Sequence, residues 1–104
     1  MWWANLGQPW GRRPVVLLAR DGAYDFLSRV SVAPLTTQVR TIPSWVVLEP
    51  VRDVVPRRSA VNLDAIQIVP IDQIDQLITR LRPEKLEEVD LAIHFALGIR
   101  HCPR

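Results

Sequence analysis

Lysine is almost missing from this chain of 104 residues: Lys85 is the only one among 13 basic side chains, and the rest are arginines. Its cations are therefore planar forks of N–H donors, which suit phosphate and carboxylate better than a point charge does. A GC-biased genome also enriches arginine, so the bias permits such chemistry without establishing it. Cysteine is as scarce. Cys102 stands alone near the C-terminus, which excludes an internal disulfide and a cysteine-based structural zinc site, and fits a reducing cytoplasm. With only four glycines there is no phosphate-cradling loop, and no Gly-x-Ser-x-Gly elbow occurs. The longest aliphatic run, Val15 to Ala19, falls far short of the roughly 20 residues a membrane helix needs. The opening Met1-Trp2-Trp3-Ala4-Asn5 lacks the basic lead and apolar core of a secretory signal, so none is expected. No membrane partner is expected either. The two histidines, His94 and His101, have no Cys or His at metal-ligand spacing and read as a helix-flank and a tail residue. No cofactor is implied.

What is present suits one small domain. The chain is 48% hydrophobic and 23% charged, with a net charge of +2, enough apolar residues for one core and too little charge imbalance to name a partner. Nine prolines, nearly twice the usual frequency of about 5%, fall between short β-prone runs. Residues 2–6 read as a first strand, 7–11 as a turn, and 14–19 as a second strand continuously apolar enough to be central, the two pairing as a hairpin. Residues 20–27 read as a loop. A third strand runs through Val30, Val32 and Leu35 to Thr36-Thr37, and a fourth is Trp45 to Leu48, fenced by Pro43 and Pro50. Residues 51–58 read as a charged loop, and the alternation from Val61 to Ile71 as half-buried sheet.

The last third changes period. Ile74, Leu77, Ile78 and Leu81 fall at i, i+3, i+4 and i+7, which predicts a helix capped by Asp72, although residues 77–82 also fit a strand. Pro83 at the first helical position, Glu84, Glu87 and Glu88 near its start and Gly98 at its end predict a terminal helix. Leu86, Val89, Ile93 and Leu97 form its expected apolar stripe, laid over an open side of the sheet. The fold expected is mainly β with a C-terminal α-helix, a small, strongly curved β-barrel.

The chemistry left is arginine and hydroxyl. Arg12-Arg13 precede the second strand and Thr36-Thr37 close the third; neighbouring strands would let these ends meet, or the four are hairpin charges and β-formers. Asp64 is either a catalytic or ligand-binding carboxylate or, as expected of one aspartate between two hydrophobic runs, a turn or cross-strand polar contact.

Trp2-Trp3-Ala4-Asn5-Leu6-Gly7, Gly11-Arg12-Arg13-Pro14-Val15-Val16-Leu17 and Val32-Ala33-Pro34-Leu35-Thr36-Thr37 closely resemble successive motifs of the MazF/PemK toxins. So do Ser59 to Asp64 with Ile66, and the tail from Leu81 through Pro83-Glu84 to Ala96-Leu97-Gly98. The resemblance implies an SH3-like, CcdB-like barrel that acts as a homodimeric endoribonuclease on single-stranded RNA and is neutralised by a cognate MazE-like antitoxin. It places the catalytic pair at Arg13 and Thr36, without metal, and implies ends carrying a 2′,3′-cyclic phosphate and a 5′-hydroxyl. Arg12, Trp10, Thr37, Gln38, Arg40, Arg57, Arg58 and Ser59 are candidate RNA contacts, Trp10 by stacking an unpaired base. The loop from Gly7 to Arg12 departs from the family pattern, lacking its longer Ser-Glu-Gln type segment. Two alternatives are a gyrase poison of the CcdB type, against which the absence of a C-terminal Trp-Gly-Ile argues, and an inactive relative that only binds RNA or antitoxin.

Overall fold

The computed structural model describes residues 1–18 and 28–99. The chain opens with a hairpin of β1 (Trp2–Asn5) and β2 (Arg12–Leu17). Its turn is closed by Leu6 N–H to the Gly11 carbonyl at 3.0 Å and Gly11 N–H to the Gly7 carbonyl at 2.6 Å. Gly7 and Gly11 sit at φ 71° and 70°. A Cβ on either would meet nothing within 4 Å, so the left-handed backbone and not crowding demands glycine there.

Then come β3 (Arg29–Thr36), β4 (Trp45–Leu48), the one-turn helix α1 (Pro50–Asp53), β5 (Ser59–Asn62), a 3₁₀ turn at Leu63–Ala65, β6 (Gln67–Pro70), a second 3₁₀ turn at Ile71–Gln73, β7 (Ile74–Leu77) and the long helix α2 (Pro83–Leu97). The strands run in the order β4-β5-β3-β2-β1-β7, and β6 also pairs with β3. The long β3 is the hinge of this arrangement: its first half pairs with β6, its middle with β2, and its last two residues with β5. The barrel expected from the sequence is thus a strongly curved sheet without a closed hydrogen-bonded ring, since β4 and β7 end the strand order.

Adjacent residues of β2 and β3 enter different cores. Val15 and Val32 pack with Ala4, Val30 and Val69, while Val16 and Ala33 pack with Leu35, Leu48, Val61, Leu63 and the α2 residues Val89 and Ala92. This is why the second strand reads as an unbroken apolar run: both of its faces are covered. Leu48 and Leu63 are almost wholly buried, and truncating either to alanine is expected to cost roughly 2–5 kcal/mol.

The structure corrects several expectations. The period-3.6 pattern from Ile74 forms β7, not a helix, and Asp72 lies in the 3₁₀ turn without capping anything. The strand alternative over 77–82 is misplaced too, since β7 ends at Leu77. β7 pairs with β1, Trp2 opposite Leu77 and Trp3 opposite Gln76, so the backbone groups of an otherwise unpaired strand outweigh local periodicity. The loop at 51–58 contains α1, and the alternation from Val61 to Ile71 is two strands broken by a 3₁₀ turn, with Ile68 exposed. On α2, Val89 and Ala92 are buried with Ile93 and Ala96 packed beside them, whereas Leu86 and Leu97 are exposed. The small alanines let the helix lie close to the sheet, which turns the stripe away from the two leucines. The loop at 20–27 and the tail histidine lie outside the described residues.

Candidate active site

Val15 opposes Pro34 and Val16 opposes Ala33. Continued two residues beyond Val15, this register sets Arg13 opposite Thr36. Both side chains line one cleft of about 630 Å³, together with Trp10, Thr37, Gln38, Arg57 and Ser59. Thr36 in turn opposes Ala60 of β5, which draws the Arg57–Ser59 segment to the same opening.

Arg13 is held at three points. Its Nε donates to the Trp10 carbonyl at 2.9 Å, its Nη1 to the Leu35 carbonyl at 3.3 Å, and its guanidinium carbon stands 5.2 Å from the Trp10 ring centroid. A guanidinium has about five N–H donors; two are used on carbonyls, and the others remain for an anion. Thr36 Oγ1 accepts from the Gln38 N–H at 3.1 Å, so the hydroxyl is oriented as an acceptor and its own hydrogen is left to donate. Ser59 is buried, its hydroxyl donating to the Arg57 carbonyl at 2.9 Å. The Arg13 guanidinium and the hydroxyls of Thr36 and Ser59 thus belong to residues of one cleft lining.

Three of the expected RNA contacts are not brought into it. Arg12 pairs with Asp75 at 2.8 Å, Arg58 with Glu49 at 3.1 Å, and Arg40 lies exposed outside the cleft lining. Asp64 proves to be a structural contact, accepting from Ser44 Oγ at 2.6 Å and Trp45 Nε1 at 3.1 Å. His94 is exposed, its Nδ1 lying 2.7 Å from the Asp90 carbonyl. Among the described residues no three His, Cys, Asp or Glu side chains are grouped to hold a metal.

Sequence reasoning missed the apolar wall, formed by Met1, Trp3, Pro9, Pro14, Val55, Pro56 and Ile78. The signal for Trp3 was present, since consecutive tryptophans in a strand point to opposite faces and only Trp2 joins a core cluster. The Met1 amine donates to the Thr79 carbonyl at 2.8 Å, and burial holds it below its ordinary pKa.

The cleft rim is anchored from behind. Asp53, 4% exposed, accepts from the Glu49 N–H at 2.7 Å and from Arg82 Nη2 and Nε at 3.0 and 3.2 Å. Burial alone would raise this carboxyl; the Glu49 amide and the nearby Arg82 and Lys85 charges outweigh it and hold the group below the usual carboxylate range. The next residue, Val54, sits in the left-handed region at φ 56°, a strained setting for a β-branched side chain.

Residues 1–97 match the PemK-like, MazF-like toxins of type II toxin–antitoxin systems, and the chain belongs to that family. It is 42% identical over 97 residues to a probable endoribonuclease, MazF5 of Mycobacterium tuberculosis, covering 93% of this chain and 88% of the relative. It is 35% identical over 98 residues to MazF2 of the same organism, a probable endoribonuclease, covering 94% of each. In three dimensions it is similar to the M. tuberculosis toxin MazF-mt6, with a TM-score of 0.85 at 28% identity, covering 95% of this chain and 96% of the other. It is also similar to a mycobacterial endoribonuclease in complex with its cognate antitoxin, with a TM-score of 0.83 at 26% identity, covering 97% and 93%. Among the described residues no helix is long and apolar enough to cross a membrane.

Proposed function

We propose that this chain is a toxin endoribonuclease that cuts single-stranded RNA in the cleft between β2, β3 and β5, with Arg13 and Thr36 as its catalytic pair. The observation that carries this reading is the convergence of the Arg13 guanidinium and the Thr36 hydroxyl on one open cleft. Relatives described as endoribonucleases, matched over more than nine-tenths of the chain, support it.

RNA brings its own nucleophile. The 2′-hydroxyl attacks the adjacent phosphorus, the 5′-oxygen of the next nucleotide leaves, and a 2′,3′-cyclic phosphate and a 5′-hydroxyl result. The enzyme must stabilise a crowded anionic phosphorane and manage two protons. Arg13 is suited to stabilising the phosphorane, being permanently charged, fixed through two of its N–H groups, and free to present the rest to two phosphate oxygens. Thr36 adds a neutral donor from the facing strand. Arg13 is assigned this charge stabilisation first, ahead of removal of the 2′-proton. None of these steps requires a metal.

Trp10, Thr37, Gln38, Arg57 and Ser59 line the same cleft and extend the RNA track away from the cut phosphate. The related endoribonuclease solved with its cognate antitoxin supports neutralisation by a MazE-like partner, and the protein is assigned to the cytoplasm as a homodimer. The test is incubation of purified protein with a long single-stranded RNA in EDTA, with both new ends mapped. Cleavage at a short recurring sequence, abolished in Arg13→Ala, is expected; RNA left intact at high protein concentration refutes the reading.

A further inference from the structure

The consecutive arginines of β2 have different surroundings. Arg13 enters the cleft; Arg12 is absent from its lining. Arg12 instead forks onto Asp75 of β7, Nη2 to Oδ1 at 2.8 Å and Nε to Oδ2 at 3.4 Å, while its guanidinium carbon stands 4.6 Å from the centroid of the Trp3 ring. The register produces this arrangement. Trp3 opposes Pro14 on one side and Gln76 on the other. Arg12, two residues from Pro14 on the same face of β2, falls next to the indole, and the register shift between Trp3 and Ala4 leaves Asp75 as an unopposed residue of β7 whose carboxylate meets that guanidinium.

Trp3 does line the cleft, beside Arg13. One residue thus carries a guanidinium fixed by a carboxylate over its ring and borders the opening where RNA would lie. The neighbouring wall is Met1, Pro14, Val55 and Ile78. Apart from the indole N–H, such a surface offers no strong hydrogen-bonding side chain to a base edge, but it accepts the flat face of any unpaired base.

We propose that Trp3 is a base-stacking wall of the cleft, and that Arg12 and Asp75 are positioning residues that hold its indole in place. Arg12 then acts through Trp3 and touches no phosphate. The inference rests on the ribonuclease reading of the cleft and adds how one nucleotide beside the cut is held with little regard to its identity. Two signs separate this clamp from a phosphate contact. If Arg12 held phosphate, Asp75 would compete with RNA for it, and neutralising Asp75 would tighten binding; in the clamp the same change loosens it. A lost phosphate contact also shallows the dependence of log K on log salt by about 0.7 for a single strand, whereas lost stacking leaves the slope unchanged.

The probe is a labelled oligonucleotide carrying a cleavage site mapped with the wild-type protein, with a 2′-deoxy sugar at the cut nucleotide. Its binding is followed by anisotropy over a salt series. Trp3→Ala is expected to weaken binding about 5-fold or more at unchanged slope, with Trp3→Phe recovering most of the loss. Arg12→Gln and Asp75→Asn should each weaken it about 2- to 5-fold, and the double variant no more than the larger single one. The Asp75 side chain is 48% exposed, so its neutral variant keeps the fold. Tighter binding by Asp75→Asn, or a slope shallower by about 0.7 in Arg12→Gln, overturns the clamp. Wild-type affinity in Trp3→Ala overturns the stacking wall. Either result leaves the loss of cleavage in Arg13→Ala standing, whereas a wild-type protein that cuts no RNA removes the ribonuclease reading itself.

Discussion

The Arg13 guanidinium donates to the carbonyl of Leu35 at 3.3 Å, so the cation of the cleft is fixed by the residue that precedes the Thr36 hydroxyl. Neither side chain depends on a flexible loop alone for its placement. Cation and hydroxyl are tied to facing ends of two paired strands, which limits how far one can drift from the other.

Arg13→Ala and Thr36→Ala should each lower single-turnover RNA cleavage by about 100-fold or more while leaving circular dichroism unchanged, the size of loss seen when one transition-state donor is removed. Arg13→Lys should not rescue activity, because an ammonium cannot hold the Trp10 and Leu35 carbonyls and still present a fork to phosphate. Cleavage within about 10-fold of wild type in Arg13→Ala would remove it from the mechanism.

Asp53 should make stability depend on acid. Its carboxyl lies below the usual range in the folded chain, and near 3.9 when unfolded. The stabilisation is therefore complete at neutral pH and is lost as the pH falls below about 4 toward the folded value. Urea titrations at a series of pH values should show this decline, and Asp53→Asn should flatten it. At neutral pH Asp53→Ala should cost about 2–3 kcal/mol, since it strands the Glu49 amide and unpairs Arg82.

Val54→Asn should stabilise the rim. Val54 occupies left-handed backbone with its side chain largely exposed, and asparagine tolerates that conformation better at little cost in buried area. A gain of roughly 0.5–1 kcal/mol in chemical denaturation is expected; a loss would show that the valine side chain contributes packing that its exposure hides.

Ala92→Leu should destabilise by roughly 1–3 kcal/mol through overpacking, because Ala92 is 3% exposed where α2 meets the sheet. An unchanged unfolding midpoint would place the helix farther from β4 than the structure has it.

The terminal helix was legible because Pro83, the early glutamates and Gly98 act locally, and Gly98 does take the left-handed cap at φ 68°. The central strand was legible because burial on both faces leaves an unbroken apolar run. β7 was not: Ile74, Leu77, Ile78 and Leu81 carry helical spacing, and only the distant partner Trp2–Ala4 makes a strand of the first two. Family motifs point to the proposed catalytic pair, while its convergence needs the register of β2 on β3. The cleft's apolar wall escaped because Met1 and Trp3, Val55, and Ile78 come from three separate segments that no local pattern connects.

β3 is bonded along its length to three other strands, β2, β5 and β6, and it carries Thr36 at its end. Amides of such a strand should exchange with solvent deuterium only when the whole domain opens, so this half of the proposed catalytic pair is not expected to melt out while the rest stays native. Silencing such an enzyme reversibly calls for something laid over the cleft from outside, whose departure leaves the centre ready without any refolding step.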